Sequence, residues 1–157
     1  MSSALARSWK CDHDAVVALR WLRGRAKRKQ VLAGSDFTDA DLSGAALFNL
    51  DLRAKTFTRA VLRSADLTTA DLRGVDLAGS DLTAATLTGA QLDGAHLAGA
   101  CLRGAFLVAT DLSGANLDDV DVTMVIYDQA TTWPKGFSPP NGGRRSAGPT
   151  CPGLSAE

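Results

Sequence analysis

The sequence predicts an all-β solenoid, and three observations lead there. From Leu32 to Val122 a large apolar residue stands at every fifth position without a break in phase: sixteen Leu, two Phe (Phe37 and Phe57) and one Val over nineteen positions. The residue two places before it is usually Ala, as at Ala45, Ala65, Ala85 and Ala105. The residue just before it is often Asp, and the two after it are rich in Ser, Thr, Gly and Arg.

A period of five fits neither regular element. A helix advances about 100° per residue, so leucines five apart would face every direction and leave no buried stripe. In a continuous strand side chains alternate with period two, so an odd repeat throws successive leucines onto opposite faces. The chain must therefore turn a corner about once per quintet, each short extended piece pointing its Leu to a common axis. Stacked repeats of that kind contact only their neighbours and share one continuous core. Leu32, Phe37, Leu42, Leu52, Phe57, Leu72, Leu92 and Leu112 represent that core. The small Ala fits inside the corner, while Asp and the polar pair face water. Gly at the fifth position, as at Gly44, Gly74 and Gly99, suits a turn that needs backbone freedom.

Runs such as Ala65-Asp66-Leu67-Thr68-Thr69, Ala70-Asp71-Leu72-Arg73-Gly74 and Ala115-Asn116-Leu117-Asp118-Asp119 resemble the A(D/N)Lxx unit of bacterial pentapeptide-repeat proteins. The resemblance implies a right-handed quadrilateral parallel β-helix with four quintets per coil, so that residues twenty apart stack. Nineteen quintets make just under five coils, roughly 23 Å at a strand spacing of ~4.8 Å.

Taken in order, residues 1–29 form an N-terminal segment with a basic amphipathic helix from Asp12 to Lys29. Asp12 or Asp14 would cap it, and Ala15, Leu19, Leu22 and Ala26 would share one face. An open solenoid end needs a lid, and this helix is the natural one. Residues 30–127 are the repeat. Within it Leu50 and Lys55 take places where Ala is usual, so Lys55 needs local widening for its amine to reach water. Residues 128–137 close the other end: Thr132-Trp133-Pro134-Lys135-Gly136-Phe137 is similar to the ending of many proteins of that family, and Trp133 and Phe137 have the size to plug the last coil. Residues 138–157, rich in Pro, Gly and Ser, are expected to be disordered.

The net charge of zero conceals an asymmetry: +6 over residues 1–30, −7 over 31–127 and +1 over the remainder. No apolar run approaches the ~20 residues of a membrane span. Met1 to Lys10 has no apolar core of the signal-peptide kind, which makes the cytoplasm the expected compartment. Cys11, Cys101 and Cys151 are odd in number and far apart, which suggests free thiols, not a disulfide frame or a metal site.

Catalytic, cofactor and metal motifs are missing from the sequence: no H-x-x-E-H, paired C-x-x-C, phosphate loop or G-x-S-x-G occurs. His96 and Cys101 occupy equivalent positions in consecutive quintets, but on adjacent faces around a corner. An enzyme is therefore not expected, and the Asp at the fixed repeat position reads as an acceptor of backbone hydrogen bonds. With residues twenty apart stacked, one side carries Phe48, Phe106, Val108 and Ile126 at outward places, and an exposed apolar stripe marks a partner, a second copy or a covering tail. These four are the candidate interaction face of a protein-binding or scaffolding module with an unidentified protein partner or a homodimer.

The family resemblance supplies a second expectation, a duplex-DNA mimic that binds DNA gyrase in the manner of quinolone-protection proteins. It ranks lower, because ~23 Å of duplex carries roughly 13 charges, whereas these coils net −7 with Arg53, Arg59, Arg63, Arg73 and Arg103 among them. Nucleic-acid binding through the basic helix ranks lower still, since a solvated cap explains the same residues.

Overall fold

The computed structural model describes residues 36–53 and 55–139. Over this span the chain winds so that residues twenty apart pair in parallel. Sixteen β-bridges arrange the outward residues into four columns. The first face stacks Asp36, Thr56, Asp76, His96 and Asn116; the second Asp41, Val61, Asp81, Cys101 and Asp121. The third stacks Ala46, Asp66, Thr86, Phe106 and Ile126; the fourth Asp51, Asp71, Gln91, Asp111 and Thr132. Every bridge is isolated, so the extended pieces are one pairing long, with a turn on either side.

The corner explains the period. The N–H of most Ala positions bonds the carbonyl of the core residue three places earlier, as in Ala45 to Leu42 at 3.0 Å and Ala85 to Leu82 at 3.0 Å. The residue before Ala sits in the left-handed region, for example Gly44 at φ 65° and Gly99 at φ 67°. Positive φ at the third residue of a tight turn favours Gly or Asn, yet Ala84 and Met124 adopt it too, at 56° and 59°. Gly114 departs from the pattern. A Cβ placed there would lie 2.4 Å from Asp93 Oδ1 and 3.0 Å from the Gly94 nitrogen, so this glycine answers a close approach of two coils.

Backbone hydrogen bonding follows a fixed rota. In the quintet from Asp41 to Ala45, Leu42 donates to Val61, Gly44 to Arg63 and Ala45 to Leu42. The outward residue donates backwards, as Val61 does to Ala40. The N–H just after each Leu is left without a ladder carbonyl. The preceding acidic or amide side chain takes it: Asp36, Asp41, Asp51, Asp66, Asp71, Asp76, Asp81, Asp111, Asn116 and Asp121 each accept the N–H two residues on, at 2.9 to 3.3 Å. The expected role of the repeat aspartates is the one seen. An unpaired buried N–H is costly, which gives the residue type its physical reason.

Inside, Phe57, Leu62, Leu72, Leu82, Leu92 and Leu102 are fully enclosed, with Ala60, Ala65 and Ala85 filling the corners. Phe37, Leu42, Leu52 and Leu112 are also buried, and Phe37 stacks on Phe57 with ring centroids 5.1 Å apart. Leu50 is buried at its Ala position, whereas Lys55 is half-buried and its pKa is lowered by burial against the opposing charge of Asp51. At the C-terminal end the fourth column steps by twenty-one residues, from Asp111 to Thr132. The extra residue lies in a turn held by Asp128, whose Oδ1 accepts the Ala109 N–H at 2.9 Å, and by the Thr131 hydroxyl, which donates to the Leu107 carbonyl at 2.7 Å. Tyr127, Trp133 and Phe137 then pack in series on the core, edge-on at 5.4 Å and stacked at 5.3 Å.

The N-terminal helix expected over Asp12 to Lys29, the core position Leu32 and the tail from residue 140 onward lie outside the described residues.

Candidate interaction surface

The third face places the apolar candidates. Phe106 and Ile126 are parallel bridge partners in its fourth and fifth places, 41% and 49% exposed. Their main chains are fixed by the ladder: Phe106 donates to Ala85, Ile126 to Ala105, and the Ile126 carbonyl accepts from Leu107 at 2.7 Å. Both side chains are thus held outward on rigid backbone. Val108, half-buried, follows Phe106 at the turn position, where its carbonyl accepts from Gly89.

Phe48 occupies the equivalent turn position three coils away, with Thr68 and Thr88 at the equivalent places between. Three rungs at ~4.8 Å separate it from Val108 by about 14 Å. The four candidates therefore split into a cluster of three at the C-terminal end and one residue apart. Sequence reasoning missed Met124, the most exposed large apolar side chain described, at 60% and two residues before Ile126. The signal was available: Met stands at a fifth position where Gly or a polar residue is usual.

The acidic residues are largely committed elsewhere. Arg59 grips Asp39 one coil away with Nε and Nη2, each at 2.8 Å. Arg53 pairs with Asp51 and Asp71, Arg73 with Asp71, Arg63 with Asp81 and Arg103 with Asp121. No column carries more than three carboxylates among the described residues. The second face differs in another way: Asp81, Cys101 and Asp121 are buried although they hold outward places. Cys101 lies 3.3 Å from the Thr83 hydroxyl and is disulfide-bonded, which corrects the expectation of a free thiol at this position. His96 is exposed on the adjoining face. No group of three or more His, Cys, Asp or Glu among the described residues is arranged to hold a metal ion, and no described helix is long and apolar enough to cross a membrane.

A family model described as pentapeptide repeats matches residues 51–89 and 90–123, in eight copies. The chain belongs to the pentapeptide-repeat family. Similar solved structures include HetL, a pentapeptide-repeat protein involved in heterocyst differentiation regulation from the cyanobacterium Nostoc sp. strain PCC 7120. It has 28% identity and a TM-score of 0.61, over 63% of this chain and 47% of that one. A pentapeptide-repeat protein from the cyanobacterium Cyanothece 51142 has 33% identity and a TM-score of 0.50, over 64% and 65%. One from the Arabidopsis thaliana thylakoid lumen has 28% identity and a TM-score of 0.55, over 56% and 61%. The chain thus spans about half to two thirds of the length of these proteins. No curated protein matches the chain significantly in sequence. The right-handed quadrilateral β-helix comes with the family, and the four columns are its four sides.

Proposed function

We propose that this pentapeptide-repeat protein is a non-catalytic binding module acting in the cytoplasm, and that it engages a protein partner through the C-terminal half of its third face. The observation that carries the reading is the bridge pair Phe106 and Ile126, two large apolar side chains exposed side by side on rigid backbone. An apolar patch of that kind on a water-facing ladder costs free energy for as long as it stays exposed to water. Val108 and Met124 extend it along the same end. A second copy of the chain presents the same patch and fits it as well as a different protein would. Family membership supports the non-catalytic part of the reading, since the repeat supplies a scaffold with variable outer positions.

The gyrase-mimic reading has less support. Four arginines are paired with carboxylates of the columns and Arg59 with Asp39 at a turn, so the negative charge of the described surface is interrupted by positive charge.

The test is the double variant Phe106→Ser, Ile126→Ser beside Phe48→Ser, with apparent mass by light scattering and affinity capture from cell extract. The reading expects the double variant to lose association and Phe48→Ser to retain it. Equal association by all three proteins overturns it. Capture of gyrase subunits together with inhibition of supercoiling would put the mimic first.

A further inference from the structure

The first face ends on an unpaired ladder edge. Its last rung is held to the one before by three main-chain bonds: the Asn116 N–H donates to the Ala95 carbonyl at 2.9 Å, the Leu97 N–H to the Asn116 carbonyl at 2.9 Å, and the Gly99 N–H to the Asp118 carbonyl at 2.8 Å. The groups that would hold a further rung are the Ala115 carbonyl and the N–H groups of Leu117 and Asp119. None of the three has a hydrogen-bond partner among the described residues. The fourth face gains one more pairing through Thr132, but the chain then quits the ladder: Pro134 has no N–H to give, and the Phe137 N–H turns back to the Pro134 carbonyl at 3.0 Å.

Two further observations fall on the same edge. The core loosens there: Ala115 and Leu117 are 6% and 8% exposed where Ala95 and Leu97, one coil earlier, are at 0%, and Val120 is only half-buried. The charge also changes. Asp39, Asp51, Asp71, Asp81 and Asp121 each face an arginine, whereas the exposed carboxylates of Asp118 and Asp119 join no ion pair among the described residues.

We infer that the edge from Ala115 to Val120 is a docking site for an extended, basic segment of a partner protein, which adds one parallel rung to the first face. An unpaired strand edge is a template for such an addition, with main-chain bonds giving affinity and side chains giving choice. In the register of the existing rungs, one residue of the incoming segment lies over Asn116, donating its N–H to Ala115 and accepting the Leu117 N–H. The next turns inward over Leu117, where the loosened core asks for an apolar side chain. The one after that accepts the Asp119 N–H with its carbonyl, and its side chain stands one rung of ~4.8 Å from Asp118. Lys or Arg belongs at that place. A second copy of this end brings the same two carboxylates to the same edge, so like charges oppose end-to-end pairing of copies. This inference concerns main-chain groups of the first face and stands apart from the third-face reading.

The test adds a fluorescein-labelled peptide alternating Val and Lys to the full chain and follows anisotropy and amide hydrogen exchange. The Leu117 and Asp119 amides should exchange freely in the protein alone and slow severalfold with peptide bound. Methylating the peptide's main-chain nitrogens should weaken binding about tenfold, since it removes the donor to Ala115 and leaves the charge in place. The double variant Asp118→Asn, Asp119→Asn should weaken it severalfold, a peptide alternating Val and Glu should not bind, and Phe106→Ser with Ile126→Ser should bind as the parent does. Amides at Leu117 and Asp119 already protected without peptide, equal binding by the methylated peptide, or protection confined to the third face each overturns the proposal.

Discussion

The Asp76 carboxylate accepts the main-chain N–H of Ala78 at 3.0 Å, and Ala78 brings no second polar group of its own side chain to the bond. Asp76 therefore isolates what the repeat aspartate contributes. Asp76→Ala strands that N–H and should destabilise the protein by about 1 kcal/mol. Asp76→Asn should be close to neutral, because Asn116 makes the same bond to Asp118 at 2.9 Å. Urea unfolding of the two variants measures the difference, and equal losses would place the effect in the charge instead of the acceptor.

Ser80 takes an inward Ala position and is fully buried, and its hydroxyl has no hydrogen-bond partner. The contrast is Thr110, in the same kind of place, whose hydroxyl donates to the Leu87 carbonyl at 2.8 Å. Ser80→Ala removes the orphaned hydroxyl and should raise stability by about 1 kcal/mol. Thr110→Ala removes a satisfied group together with a methyl and should lower it. Thermal melts of both variants check the opposite signs.

The same pair marks the limit of what the sequence made legible. Leu every five residues with Ala two before it was enough to place the buried shaft, because neither a helix nor a continuous strand can bury that period; the four-sided stacking came from the resemblance of the A(D/N)Lxx units to the family. Asp before Leu could be read as a backbone acceptor for the same reason. Phe48 and Phe106 fall on one side by their spacing, but their separation along the axis follows only when each is assigned to its coil. The extra residue between Asp111 and Thr132 was hidden because Tyr127 keeps phase and the turn built by Asp128 and Thr131 follows it. The burial of Asp81, Cys101 and Asp121 was not legible, since all three hold places that the repeat otherwise turns to water.

Gly99 stands at φ 67°, and a Cβ there meets nothing within 4 Å. Any loss on substitution is therefore backbone strain alone. Gly99→Val should cost about 1–2 kcal/mol, because a β-branched residue resists the left-handed region. Gly99→Asn should cost little, as Asn49 already adopts φ 55° at the equivalent corner. Chemical denaturation of the two variants should separate them; a Val variant as stable as the Asn variant would show that these corners shift their backbone freely.

The acidic side chains also set a pH dependence. The Arg73 guanidinium holds the Asp71 carboxyl below the usual carboxylate range. Burial pushes Asp81 up, but hydrogen bonds from Thr83 and Arg63 outweigh it, so that its pKa too is lowered. The Thr132 hydroxyl lowers Asp111, and the Ala109 N–H lowers Asp128. All four have folded values below their unfolded ones, so their stabilisation is fully present above the unfolded pKa of about 3.9 and is lost as pH falls through the folded values. These groups should leave the melting temperature level from neutral pH to about pH 5 and lower it increasingly below about pH 4. Asp111→Asn should flatten part of that acid limb, because it removes one titrating group while keeping an acceptor for Ser113 and Thr132. Circular dichroism melts from pH 7 to pH 2.5 test this, and a limb unchanged in Asp111→Asn would remove Asp111 from the set.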